Sequence, residues 1–220
     1  MVAEEAFIQH LLALSPRFSD RPVLFPTNDH WAAAVSRHKQ RLADHYIPCV
    51  ADWSTMQLLL EKDQFYAWCL DRGYPVPRTW PSSEYGQIPD DAFPLAAKPT
   101  YRRISSDDPR ASELSKELDQ LRLTSLADRT ELEVFIDVHA DILDPLLLQE
   151  YVRGLSDRMY TIGIYANRQH RVLGLFSGRK VRGFPPDIGD CMVGQAQEMP
   201  QHLKDMVREL CFELAYHGIA

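Results

Sequence analysis

The sequence predicts an α+β protein, and three observations carry that prediction. Tyr160, Ile162 and Ile164 alternate with Met159, Thr161, Gly163 and Tyr165, a polar turn follows at residues 167–170, and residues 172–176 complete an antiparallel hairpin. Two further apolar runs, residues 93–98 and 146–152, read as strands. Leu203, Met206, Val207, Leu210, Cys211, Leu214 and Ala215 fall at the spacing of one helix face.

Along the chain, Phe7, Ile8, Leu11, Leu12 and Leu14 repeat helically, and Val23-Leu24-Phe25-Pro26 makes a short strand that stops at the turn-prone Asn28-Asp29. Asp29 is expected to cap a helix bearing Trp31, Ala34, Val35 and Leu42. One strand forms no sheet, so this region either packs on the rest or belongs with strands upstream of Met1 in a longer parent. Ser54 starts a helix through Leu60. A second run, residues 62–72, ends at Gly73, where a capping glycine is expected. Tyr74-Pro75-Val76-Pro77 then forces an extended link. The domain boundary is placed near Lys62, dividing residues 1–60 from residues 61–220. Helices are expected near residues 111–121 and 131–140. Gly218 closes the last helix, and Ile219-Ala220 read as the opening of a strand cut off at the end of the chain.

The 220 residues carry a net charge of −7, which argues against a general nucleic-acid or anionic-membrane binder, because such proteins need a basic footprint. Any phosphate binding is therefore local. Cys49, Cys69, Cys191 and Cys211 form no Cys-x-x-Cys pair, so neither a zinc knuckle nor a disulfide framework is suggested, and they read as buried thiols of a reducing compartment. The N-terminus is acidic and no apolar run approaches the roughly 18 residues a membrane span requires. The expected location is the cytoplasm.

Three clusters carry candidate chemistry. Lys98 ends an apolar strand before Pro99 and a polar loop, a position from which a compact ammonium can hold a phosphate. Alone it reads as a solvated strand-end lysine, and Lys62 at a helix start is weaker. Gln149-Glu150-Tyr151-Val152, interrupted at Gly154, offers backbone groups to a planar base, and Asp157 could accept from ribose hydroxyls. Alone these are a strand, a loop and an exposed Asp. Arg179 and Lys180, beside Ser177-Gly178, stand out in an acidic chain, whereas Arg168 and Arg171 read as a solvated turn. P-loop, Rossmann, nucleophile-elbow and His-Glu-x-x-His motifs are absent. The histidines are scattered, His217 before Gly218 being the one to watch.

Together Glu61-Lys62-Asp63, Gly73-Tyr74-Pro75-Val76-Pro77-Arg78-Thr79, Phe93-Pro94-Leu95-Ala96-Ala97-Lys98-Pro99, Leu148-Gln149-Glu150-Tyr151-Val152-Arg153-Gly154 and Gly178-Arg179-Lys180 resemble, in order and spacing, the ATP-grasp superfamily and its carboxylate-amine ligases, over roughly residues 20–220. The resemblance implies mixed sheets with helices, preceded by the remnant of an α/β pre-ATP-grasp domain over residues 1–60, with an ATP-grasp domain at 61–220 incomplete at its C-terminus. It implies ATP phosphorylating a carboxylate and an amine attacking the acyl phosphate. Lys62 and Lys98 would contact phosphates, Gln149, Glu150, Tyr151 and Val152 would form the adenine hinge, Asp157 would meet the ribose, and Arg179 and Lys180 would stabilise the transferring group. Tyr101, Arg102 and Arg103 stand where many members have a glycine-rich loop. The family's Mg2+ ligands, a Glu and a Glu-x-Asn segment, are expected beyond residue 220, so the chain itself is assigned no metal ligand. Implied partners are small-molecule carboxylate and amine substrates, with no nucleic acid and no membrane, and a homo-oligomer is compatible with this. The other reading is a non-catalytic nucleotide-binding or interaction module on an ATP-grasp-like fold.

Overall fold

The computed structural model describes residues 2–100, 118, 121, 123–143, 146–154, 158–184 and 190–220. They fall into two compact units, residues 58–153 and residues 2–57 together with 154–220.

In the first unit, α5 (Lys62–Asp71) is followed by the strands β3 (Thr79–Pro81), β4 (Leu95–Pro99) and β5 (Thr124–Leu126), then α6 (Arg129–Val138) and β6 (Leu146–Glu150). The four strands form one antiparallel sheet in the order β3-β6-β4-β5. Strand alternation turns Leu95, Ala97, Leu146 and Leu148 into a core shared with Leu132, Phe135 and Ile136, the apolar stripe of α6. The other face carries Ala96, Lys98, Leu147 and Gln149. Asp128 caps α6 by accepting from Glu131 N–H at 3.0 Å, and Glu131 accepts from Ala127 N–H at 2.8 Å.

Helix α5 ends as expected. Gly73 N–H donates to Leu70 O at 3.0 Å and Tyr74 N–H to Cys69 O at 2.9 Å, the paired bonds of a Schellman cap, with Gly73 at φ 75°.

The second unit begins with α1 (Val2–Leu14), β1 (Val23–Leu24), α2 (Asp29–Arg37), α3 (Lys39–Leu42) and β2 (Ile47–Pro48); α4 (Trp53–Leu60) follows. Ile8, Leu11, Val35, Leu42, Tyr46 and Val50 form its buried cluster. Its larger sheet joins β7 (Tyr160–Ala166), β8 (Val172–Phe184), β9 (Asp190–Ala196) and β10 (Gly218–Ile219) in the order β10-β7-β8-β9, and α7 (Gln201–Glu213) lies between β9 and β10 in the chain.

Several sequence expectations are corrected here. The strand at residues 23–24 does have a partner: β2 pairs with it in parallel, Val23 opposite Ile47, a two-residue strand too short to show a period. The cap of α2 is Asn28, whose side chain accepts from Trp31 N–H at 3.0 Å, so Asp29 is the first helical residue. Strand β8 runs on to Phe184 and β9 pairs with it, because backbone ladders need no apolar alternation. Helix α7 stops at Glu213, with Ala215 at φ 49°, rather than at Gly218, which sits in β10. Cys191 is exposed and Cys49 half-buried, unlike the buried Cys69 and Cys211. The helix expected near residues 111–121 lies outside the described residues except at Leu118 and Leu121.

A polar clasp holds the C-terminal segment. Lys39 Nζ donates to Val50 O at 2.8 Å, to Asp52 Oδ1 at 2.7 Å and to His217 Nε2 at 2.5 Å. An ammonium can only donate, so His217 is neutral, with its proton on Nδ1. Burial first, then the Lys39 charge, holds the imidazole pKa below the ordinary 6.5, despite Asp52 and with His170 adding to the depression.

Two predictions follow from this packing. At Gly73 the positive φ is the whole obstacle, since a Cβ there meets nothing within 4 Å, so Gly73→Ala costs about 1 kcal/mol. At Gly218, with φ 113°, a Cβ would also lie 2.8 Å from Cys49 O, so Gly218→Ala costs more than about 2 kcal/mol; denaturant unfolding measures both. Second, the unfolded chain takes up a proton at His217 more readily than the folded one. The stability this contributes is full above 6.5 and is lost as pH falls through that value toward the lower folded one. The drop in unfolding midpoint between about pH 7.5 and about pH 5.5 is therefore smaller in His217→Gln than in the wild type.

Candidate functional site

The candidate site is built on the paired strands β4 and β6. Their register sets Leu95 opposite Glu150, Ala96 opposite Gln149, and Lys98 opposite Leu147, while β3 sets Thr79 opposite Gln149 on its other side. Thr79, Gln149 and Lys98 therefore share one face.

On that face Lys98 Nζ donates to Gln149 Oε1 at 2.7 Å and to Tyr66 Oη at 2.8 Å, and lies 4.7 Å from the Tyr66 ring centroid. Both partners are neutral. Among the described residues no carboxylate pairs with Lys98, so its charge remains uncompensated in a half-buried place, a setting suited to an anion. Lys62, at the start of α5, donates from Nζ to Pro99 O at 2.9 Å and from its backbone N–H to Thr100 O at 3.2 Å, tying the helix start to the end of β4.

The hinge segment divides into two parts. Gln149 is buried within β6, its side chain committed to Lys98 and Thr79. Glu150 projects to the opposite face and meets Arg78 Nε at 3.1 Å, while Arg78 also reaches Asp91 at 3.3 Å. These carboxylates, Glu150 foremost, raise the Arg78 pKa above its ordinary value. Glu150 N–H donates to Arg78 O at 2.8 Å and Tyr151 N–H to Pro94 O at 3.0 Å. Beyond them, no described residue hydrogen-bonds the Tyr151 carbonyl or the backbone of Val152. Beside this stretch lies a cavity of ≈ 650 Å³, lined among others by Pro75, Pro77, Asp91, Pro94, Glu150, Tyr151 and Val152. Lys62, Lys98 and Gln149 are not in its lining.

Arg179 and Lys180 lie within β8 of the other unit, paired with Gln195 and Gly194 of β9 rather than in a loop. As neighbours in a strand they point to opposite faces. Lys180 is buried. Arg179 has a buried Nε without a hydrogen-bond partner among the described residues, a donor that an anion would satisfy. Asp157 lies outside the described residues. Among those described, no group of three or more His, Cys, Asp or Glu side chains could hold a metal ion, and none of the helices is long and apolar enough to cross a membrane.

Sequence reasoning did not assign Tyr66, Thr79 or Arg78. Tyr66 stands one turn after Lys62 on α5, a signal available from the sequence. Thr79 joins Gln149 only through the strand register, and no local pattern reveals it.

No family model matches the chain. Over 206 residues the chain is 25% identical to the D-aspartate ligase of Enterococcus faecium (strain Aus0004), a match covering 86% of this chain and 47% of that enzyme, so the chain spans about half the length of the curated relative it matches. Among solved structures, the L-amino acid ligase of Bacillus licheniformis is similar with a TM-score of 0.58 at 12% identity, over 96% of this chain and 46% of that one. The D-alanine-D-alanine ligase of Coxiella burnetii gives 0.57 at 14% identity, over 93% and 54%. That of Bacillus anthracis, complexed with ATP, gives 0.55 at 14% identity, over 95% and 66%. The mixed helices and antiparallel sheets described above are those of this group: the chain shares the fold of these solved ligases.

Proposed function

We propose that the chain is the nucleotide-holding part of an ATP-dependent ligase that activates a carboxylate as an acyl phosphate for attack by an amine. The observation that carries this reading is the uncompensated ammonium of Lys98, held by two neutral oxygens, one from Gln149 of β6 and one from Tyr66 of α5. The match to a D-aspartate ligase and the fold shared with a ligase complexed with ATP support it.

In this reading Lys98 meets a phosphate, and Lys62 anchors the end of β4 from which Lys98 projects. The Tyr151 carbonyl and the Val152 backbone take the edge of the base, with Gln149 and Glu150 fixing the strand that delivers them. Asp157 is assigned the ribose. Arg179, through its orphaned Nε, is assigned the transferring phosphoryl group, where fixed positive charge counters developing negative charge, and Lys180 supports the same strand. ATP supplies the phosphoryl group that turns a poor leaving oxygen into a good one. No step is assigned to Mg2+. Residues 1–60 are assigned to the pre-ATP-grasp region and residues 61–220 to the ATP-grasp domain, with small-molecule carboxylate and amine as substrates.

Calorimetry with ATP tests the reading. The wild type binds, and Lys98→Ala weakens binding at least about tenfold, or about 1.4 kcal/mol, while its unfolding midpoint stays close to that of the wild type. A wild type that binds no ATP, or a Lys98→Ala variant that binds equally well, overturns it. Release of ADP in the presence of an amine and a carboxylate, D-aspartate first because the relative is named for it, marks a chain active by itself. Binding without release marks nucleotide capture alone.

A further inference from the structure

The Lys98 ammonium is the donor end of a polarised relay that begins in the extended link before β3. Thr79 Oγ1 donates to Pro77 O at 2.9 Å. A hydroxyl has one hydrogen, and a proline offers a carbonyl and no N–H, so the direction of that bond is fixed. Toward Gln149, Thr79 Oγ1 can then only accept, and Gln149 Nε2 lies 2.8 Å away. This orients the carboxamide: its nitrogen faces Thr79, leaving Oε1 for Lys98 at 2.7 Å. With the amide reversed, an NH2 group would oppose an ammonium at that distance. All three bonds point away from Lys98, so each polarises the next in the same sense.

The chemistry of the relay has a second consequence. A carboxylate at residue 149 would hold Lys98 at least as firmly but would neutralise it. A carboxamide fixes the ammonium and leaves its charge. Lys98 spends one hydrogen on Gln149 and one on Tyr66, and its third has no partner among the described residues. We propose that Thr79 and Gln149 are positioning residues that aim the third donor of Lys98 at a polyphosphate while keeping its full charge. This assigns a role in place of the direct nucleotide contact first expected of Gln149, and it rests on the ATP reading above.

Calorimetry with three probes, ATP, inorganic tripolyphosphate and adenosine, tests it on the whole chain. Thr79→Val removes the acceptor for the carboxamide nitrogen without changing charge, and affinity for ATP and tripolyphosphate falls about tenfold while affinity for adenosine stays at the wild-type value. Thr79→Ser, which keeps the hydroxyl, restores phosphate affinity. Gln149→Glu, nearly isosteric, lowers phosphate affinity at least as much by pairing with Lys98, and it decides the matter alone if Thr79→Val fails to fold. Equal loss for all three probes means a purely structural role and overturns the proposal. So does wild-type affinity in Gln149→Glu, or in a folded Thr79→Val, when Lys98→Ala has lost ATP; in those cases the ATP reading stands. If the wild type binds neither ATP nor tripolyphosphate, both fall together.

Discussion

The antiparallel pairing of β4 with β6 is the constraint from which the candidate site follows. Five residue pairs, from Leu95 opposite Glu150 to Pro99 opposite Leu146, fix the register. Alternation then separates the two faces: Leu95, Ala97, Leu146 and Leu148 go to the core, and Ala96, Lys98, Leu147 and Gln149 go to the other side. A slip of one residue by β4 would exchange its two sets and drive a lysine against Leu132 and Phe135. The burial of the leucines therefore positions Lys98. The charged side chain inherits its place from the buried apolar residues beside it.

That dependence explains what the sequence discloses and what it withholds. Lys98 and the segment 149–152 are legible because they close apolar runs, and an apolar run announces a strand. Gly73 is legible because the αL position of a Schellman cap favours glycine over nearly every other residue. Thr79 is not legible, because its significance lies in being opposite Gln149, seventy residues on, and register is a property of two strands together. The β1–β2 pair is hidden for the same reason at smaller scale. Arg179 and Lys180 show a subtler failure: their basic character is plain, but a sequence reading that ends the strand at Phe176 cannot see that they alternate across it.

Lys39 and Lys98 differ in how the fold manages charge. Lys39 in the clasp has a carboxylate, a backbone carbonyl and a neutral imidazole, and it is fully engaged with protein. Lys98 has a phenol and a carboxamide and no carboxylate. The first arrangement satisfies a lysine for structure. The second leaves a half-buried cation short of a counter-charge, a cost that an anion bound there would offset. Such an imbalance has no structural benefit of its own, and it sets Lys98 apart from Lys39 and Lys204, each paired with a carboxylate.

The hinge acquires its free acceptor from a single residue on the facing strand. Tyr151 and Pro94 stand one step beyond the last paired residues, Glu150 and Leu95, at a position where an antiparallel ladder exchanges two hydrogen bonds. One is present, from Tyr151 N–H to Pro94 O at 3.0 Å. The reciprocal bond would need an N–H on residue 94, and proline has none. The Tyr151 carbonyl is thereby left without its ladder donor at the point where β6 gives way to an irregular segment, and Val152 follows with its own backbone unbound by any described residue. Pro94 ends the pairing, and by ending it there leaves the Tyr151 carbonyl open to a donor from outside the sheet.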